Sequence, residues 1–203
     1  MMVAYPESLF SVAQKKVAAM FELAVDMLDK PIQDFAESFA SSKVAKAFEQ
    51  GDPVYICGKS ANELVALVLG EEPDELEMNE EGSPEYWVGF VLALSQWRLN
   101  RPFMELIQTI PCDELLLKYF PYHEMDPEKV VVLFRKRLGL ECPLSAFRKQ
   151  RNLSQNDLAA ISGVSVRAIR SYEQGAVEIS KAQADTLFSL AKVLDCSIED
   201  LIR

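Results

Sequence analysis

The chain has a single histidine, and its four cysteines, Cys57, Cys112, Cys142 and Cys196, stand far apart with no C-x-x-C pair. A zinc finger needs closely spaced thiolates or imidazoles and a thioredoxin-like centre needs C-x-x-C, so neither is expected. Reduced, mostly buried thiols are the ordinary reading of such cysteines. His123-Glu124 lacks the second histidine of H-E-x-x-H, which removes the zinc-protease reading. Gly58-Lys59-Ser60 resembles the end of a phosphate loop, but Pro53 stands where the first glycine of that loop is required. No catalytic constellation, metal site or cofactor site emerges, so an enzyme is not expected. No apolar run approaches the roughly 18 residues of a membrane span. The first residues, MMVAYPESLF, lack the basic and apolar regions of a signal peptide, so a cytoplasmic location is expected.

A formal net charge of −10 argues at first sight against nucleic acid as a partner. The charge is uneven, however. Residues 1–142 hold 13 basic and 24 acidic side chains, whereas 143–203 hold 8 basic and 7 acidic. Within 143–170, Arg148, Lys149, Arg151, Arg167 and Arg170 face only Asp157. The expected organisation is an acidic domain, 1–142, followed by a smaller domain, 143–203.

The fold class expected is all-α. Phe10, Ala13, Val17, Met20, Ala24 and Met27 recur at spacings of three and four, which puts one apolar stripe on a helix over about 6–29. That stripe either packs within its own domain or forms part of a dimer seam. Pro31 opens a second helix expected to run through Gln50. Val54-Tyr55-Ile56-Cys57 reads as an extended piece or a buried connector. Ser60 caps a helix through Leu69, and 71–82 reads as a solvated acidic loop. Ser83-Pro84-Glu85 is a helix start leading into a central buried helix. Shorter helices follow near 102–109, 112–119 and 127–138. The aromatic group Tyr86, Trp87, Phe90, Trp97, Phe103, Tyr119, Phe120 and Tyr122 reads as core, with a ligand pocket as the alternative.

The last sixty residues divide into five short helices. The first spans about 143–151. Ser154 with Asp157 forms a variant capping box for the second, which Gly163 ends. Ser165 caps the third, which stops at Gly175. Ser180 with Gln183 is expected to box the fourth, over 181–194, and Ser197 with Asp200 the fifth.

The run Leu153-Ser154-Gln155, Leu158-Ala159, Gly163-Val164-Ser165, Ile169, Tyr172-Glu173-Gln174-Gly175 resembles the Xre/Cro phage-repressor family of helix-turn-helix domains. Leu187, Leu190-Ala191, Leu194, Ser197 and Asp200-Leu201 match the closing helices of that family. The resemblance implies a recognition helix in the third position, lying in the DNA major groove. It assigns base reading to Ser165, Val166, Arg167 and Ser171. Gln155, Lys149, Arg151, Arg170 and Gln174 become candidates for phosphate contacts, and Arg148 with Glu173 a structural salt bridge. Glu178, where many relatives carry a basic residue, is expected to sit near the DNA backbone and weaken binding.

The resulting expectation is a dimeric transcriptional regulator, a repressor, that binds an inverted repeat in double-stranded DNA. The alternative is an antitoxin whose acidic domain neutralises a partner protein while the helix-turn-helix controls its own operon. No membrane association is expected.

Overall fold

A computed structural model describes residues 4–70 and 82–202, the side chains of Asp26 and Met27 excepted. Among the described residues there are helices and no strands, in agreement with the all-α expectation. Two compact units are distinguished, one ending at Leu138 and the other beginning at Gly139. The expected acidic loop lies, apart from Gly82, outside the described residues.

In the first unit, α1 (Glu7–Glu22) continues as a π-helical turn over Leu23–Met27. The expected single helix after Pro31 is instead two, α2 (Ile32–Ser41) and α3 (Lys43–Glu49). Ser42 breaks it: its backbone is extended, and its hydroxyl accepts the amides of Val44 and Ala45. Such a residue competes for the backbone and starts a new helix better than it continues an old one. Residues 54–57 are neither the extended piece nor the buried connector expected: Val54 and Cys57 are exposed and only Ile56 is buried. Asp52 caps a single turn there, α4 (Pro53–Ile56), with Pro53 already in a helical geometry at its first position. The unit continues with α5 (Ala61–Leu69), which starts in a Ser60–Glu63 capping box, and α6 (Pro84–Leu99), which starts at Ser83. Next come α7 (Phe103–Thr109), α8 (Cys112–Leu117), a kinked turn α9 (Tyr119–Tyr122) and α10 (Glu128–Arg137).

Helix α6 is the centre of this unit, as its nearly all-round apolar sequence predicts. Val88, Gly89, Val91, Leu92 and Leu99 are buried, and α1 lies along it. The two backbones approach so closely at Gly89 that a Cβ there would stand 2.8 Å from Ala18 Cα and Val17 O. Ala13, Val17, Met20 and Ala24 are fully buried. Four of the six residues of the expected stripe are thus packed inside their own unit, while Phe10 is half-buried and stacks on Trp97. The aromatic group is not uniformly core. Trp97 and Phe103 are buried, while Phe120 is 74% exposed and stacks edge-on against Tyr119 and His123 at the surface.

Three helices in this unit receive capping groups from elsewhere in the chain. Glu49 accepts the Phe103 amide at the start of α7 (2.7 Å), and Gln33 accepts the Cys112 amide at the start of α8 (2.8 Å). The buried Glu22 accepts the Ser83 amide ahead of α6 (3.0 Å). Proline stands at the N-cap of both α7 and α8. It has no side-chain acceptor to offer, so a distant side chain supplies what the local sequence lacks.

The second unit contains α11 (Pro143–Gln150), α12 (Gln155–Ser162), α13 (Val166–Glu173), a 3-10 turn (Ile179–Lys181), α14 (Ala184–Leu194) and α15 (Ile198–Ile202). Leu144, Leu158, Ile169, Leu190, Ala191, Leu194 and Leu201 form its core. The capping box expected at Ser180 does not form. Ser180 lies within the 3-10 turn and Gln183 itself occupies the N-cap of α14, without a side-chain cap. Ser197 and Asp200 do box α15.

Candidate nucleic-acid interface

The helix pair α12–α13 is defined by its punctuation. Ser154 Oγ accepts the Asp157 amide (3.1 Å) while Asp157 Oδ2 accepts the Ser154 amide (2.9 Å). Gly163 closes α12 with φ +74°, a left-handed conformation that costs other L-residues about 1–2 kcal/mol. Two residues later Ser165 Oγ accepts the Ala168 amide (3.2 Å) and starts α13. A glycine C-cap followed almost at once by a serine N-cap gives the tight turn of a helix-turn-helix.

Helix α13 is strongly amphipathic. Ile169 anchors it in the core with no exposure, and Val166 and Tyr172 are half-buried. Ser165, Arg167, Arg170 and Gln174 are exposed, and Ser171 is half-buried. Arg167 makes no ion pair among the described residues, and Arg170 meets no carboxylate.

The other basic candidates are differently placed. Lys149 pairs with Glu141, and Arg151 pairs with Asp195 at 2.6 Å. Both cations are exposed, and exposed pairs of this kind contribute only about 0–1 kcal/mol. Neither pair therefore holds its cation firmly. Glu178 is not the free acid its sequence position implies. Its side chain is 10% exposed and lies 3.2 Å from Lys181 Nζ, so its charge is locally neutralised.

Behind α13 lies a connected polar group. Arg148 Nε and Nη2 donate to Glu173 Oε1 (2.7 Å) and Oε2 (3.0 Å), and Nη1 donates to the Leu153 carbonyl (2.7 Å). The pair is largely buried, at 11% and 8% side-chain exposure. The hydrogen bonds to Glu173 hold the guanidinium above its ordinary pKa, against the opposing effect of burial. Gln155 extends the group outward: its Nε2 donates to Glu173 Oε2 (2.8 Å), and its Oε1 accepts from Arg170 Nε (3.4 Å). The start of α12 and the outer face of α13 are thus tied to one carboxylate. Sequence reading pairs Arg148 with Glu173 and gives Gln155 and Arg170 to phosphates, but it misses the link between the two pairs, whose contacts span 15 and 18 positions.

No metal-holding group of three or more His, Cys, Asp or Glu side chains is found among the described residues. No helix among them is long and apolar enough to cross a membrane. A family model described as helix-turn-helix matches residues 144–201. No curated protein matches the chain, and no solved structure does.

Proposed function

Since residues 144–201 form a helix-turn-helix domain of the Xre/Cro type, a DNA-binding module, we propose that the protein is a cytoplasmic, dimeric transcriptional repressor reading an inverted repeat through α13. One observation carries this reading: among the described residues, the exposed face of α13 presents Arg167 and Arg170 without carboxylate partners, whereas Arg148, Lys149, Arg151 and Lys181, though not Lys192, are each matched to an acid. Arg167, one residue into the helix, reads a guanine through its O6 and N7 acceptors. Ser165, Val166 and Ser171 complete the base-facing set, Val166 by apolar contact with a thymine methyl. Arg170, Gln155 and Gln174 take phosphates, joined by Lys149 and Arg151 once their surface pairs open. Occupancy of the operator blocks transcription.

Selection from random duplexes, followed by mobility shifts on the selected site and on the DNA upstream of the gene, tests this. A salt-sensitive, sequence-specific shift is expected. Arg167→Ala should cost about 1–3 kcal/mol and relax discrimination at one base pair. Failure to select any sequence, or a selected site indifferent to Arg167→Ala, refutes the reading.

A second reading, the antitoxin, is favoured by a separate feature: Leu117, Phe120 and Met125 are 84%, 74% and 45% exposed on the acidic unit. Apolar groups this exposed suit a protein partner. Co-purification of a basic protein encoded next to the gene, lost on Phe120→Ser, supports it. A clean homo-oligomer with no such partner removes it.

A further inference from the structure

Helix α14 has two faces. Leu190, Ala191 and Leu194 belong to the core of the second unit, and Leu187 is buried as well. On the other side Asp185, Phe188 and Lys192 are exposed, Phe188 at 62%. Their spacings of three and four place them within an arc of about 60° along one stripe. Burying an aromatic side chain inside the domain is the default, so one held this far out by a well-packed helix calls for another explanation.

We infer that this stripe is the dimer seam, on which α14 of one copy packs antiparallel against α14 of a second. The inference rests on the dimeric reading above and says where its interface lies. The sequence of the stripe is complementary to itself. Phe188 lies between an acid three residues before it and a base four residues after it. A two-fold axis crossing the helix between Phe188 and Ser189 sets each Phe188 beside its copy and each Asp185 opposite Lys192 of the partner subunit. One ring–ring contact and two ion pairs result. A parallel arrangement would place Asp185 against the partner's Asp185 and Lys192 against the partner's Lys192, so the charges select the antiparallel one. Within the chain, neither Asp185 nor Lys192 forms an ion pair among the described residues. They are seven residues apart, about 10 Å along the helix, too far to satisfy each other. Acid near the start and base near the end also complement the helix dipole, but the dipole gives Phe188 no reason to be exposed. Ser189, beside the axis, is small enough to allow close approach.

A seam of this size is weak in isolation. Two copies held on adjacent half-sites raise each other's effective concentration, so the seam acts mainly as cooperativity on DNA.

The test uses the full chain in sedimentation equilibrium, with the variants Asp185→Lys, Lys192→Asp, the double reversal and Phe188→Ser. Each single reversal should weaken self-association about tenfold, and Phe188→Ser should do so by at least about tenfold, with circular dichroism unchanged. The double reversal recreates the pairs with opposite polarity and should recover wild-type association to within about threefold. A double reversal no better than the single ones overturns the seam. So do single variants that associate like the wild type, and a wild-type chain that stays monomeric at high concentration. Binding to an isolated half-site, measured on the same variants, separates the two readings. If half-site binding persists while association ignores α14, the seam fails and the DNA reading stands. If no variant binds DNA but the charge reversals behave as stated, the seam stands and the DNA reading fails.

Discussion

Glu173→Ala removes the carboxylate on which Arg148, Gln155 and, through Gln155, Arg170 depend. Both members of the pair are about nine-tenths buried. The variant therefore leaves a guanidinium in a poorly hydrated place with only the Leu153 carbonyl to accept from it. Breaking a buried pair from one side costs about 3–5 kcal/mol. The residual exposure of Arg148 and its remaining carbonyl bond place this case near the lower bound, about 3 kcal/mol. For a unit of some sixty residues, each kcal/mol moves the melting point by about 4–8 °C. Trp87 and Trp97 both lie in the first unit, so indole fluorescence is blind to the change. Hydrogen exchange across α11–α13, with far-ultraviolet circular dichroism, is the suitable assay. The paired replacement Arg148→Met with Glu173→Leu removes both charges and fills similar volume, and should regain most of the loss. Destabilisation below about 1 kcal/mol for Glu173→Ala, or a double variant no better than the single, would refute the assignment of this pair as the brace of α13.

Gly89→Ala should destabilise the first unit by about 1–3 kcal/mol, although alanine is the better helix former, because its Cβ meets the backbone of Ala18 and Val17. Urea unfolding followed by fluorescence of Trp87 and Trp97, both on α6, reads this directly. Hydrogen bonds from the Ser154 side chain and amide hold Asp157 below its ordinary pKa, and Lys149 and Ser145 do the same for Glu141. Their contribution is therefore present above the ordinary carboxylate range and is lost as pH falls through the depressed values. A pH series on the second unit should show this loss, and Asp157→Asn should flatten it. Burial holds Glu49 above its ordinary value despite the Phe103 amide, so its linkage has the opposite sign: stability present at low pH declines as pH rises through the raised value. Arg170→Ala should weaken DNA binding evenly across sequences and reduce the salt slope by about one.

The helix-turn-helix is legible because its instructions are local. Ser154, Gly163, Ser165 and Gly175 each act within a few residues of themselves, and Ile169 needs only helical spacing to be placed inside. Ser180 shows where local reasoning fails: the spacing to Gln183 is right for a box, but the chain enters a 3-10 turn and the helix begins three residues later than the box requires. Ser42 is the converse. Its neighbours are good helix formers, and nothing in periodicity marks the break that its hydroxyl creates. The partners of Lys149 and Arg151 were not legible at all. Arg151 meets Asp195 from 44 positions away, and such a meeting depends on how α11 and α14 are brought together rather than on either segment.

The borrowed caps of the first unit bear on how it opens. The amides of Phe103 and Cys112 are protected by Glu49 and Gln33, which belong to α3 and α2. Deuterium should reach these two amides only when the earlier helices also loosen, so their exchange rates should follow α2 and α3 rather than the ends of α7 and α8. Fraying, ordinarily the private affair of one helix end, becomes here an event shared between segments more than fifty residues apart.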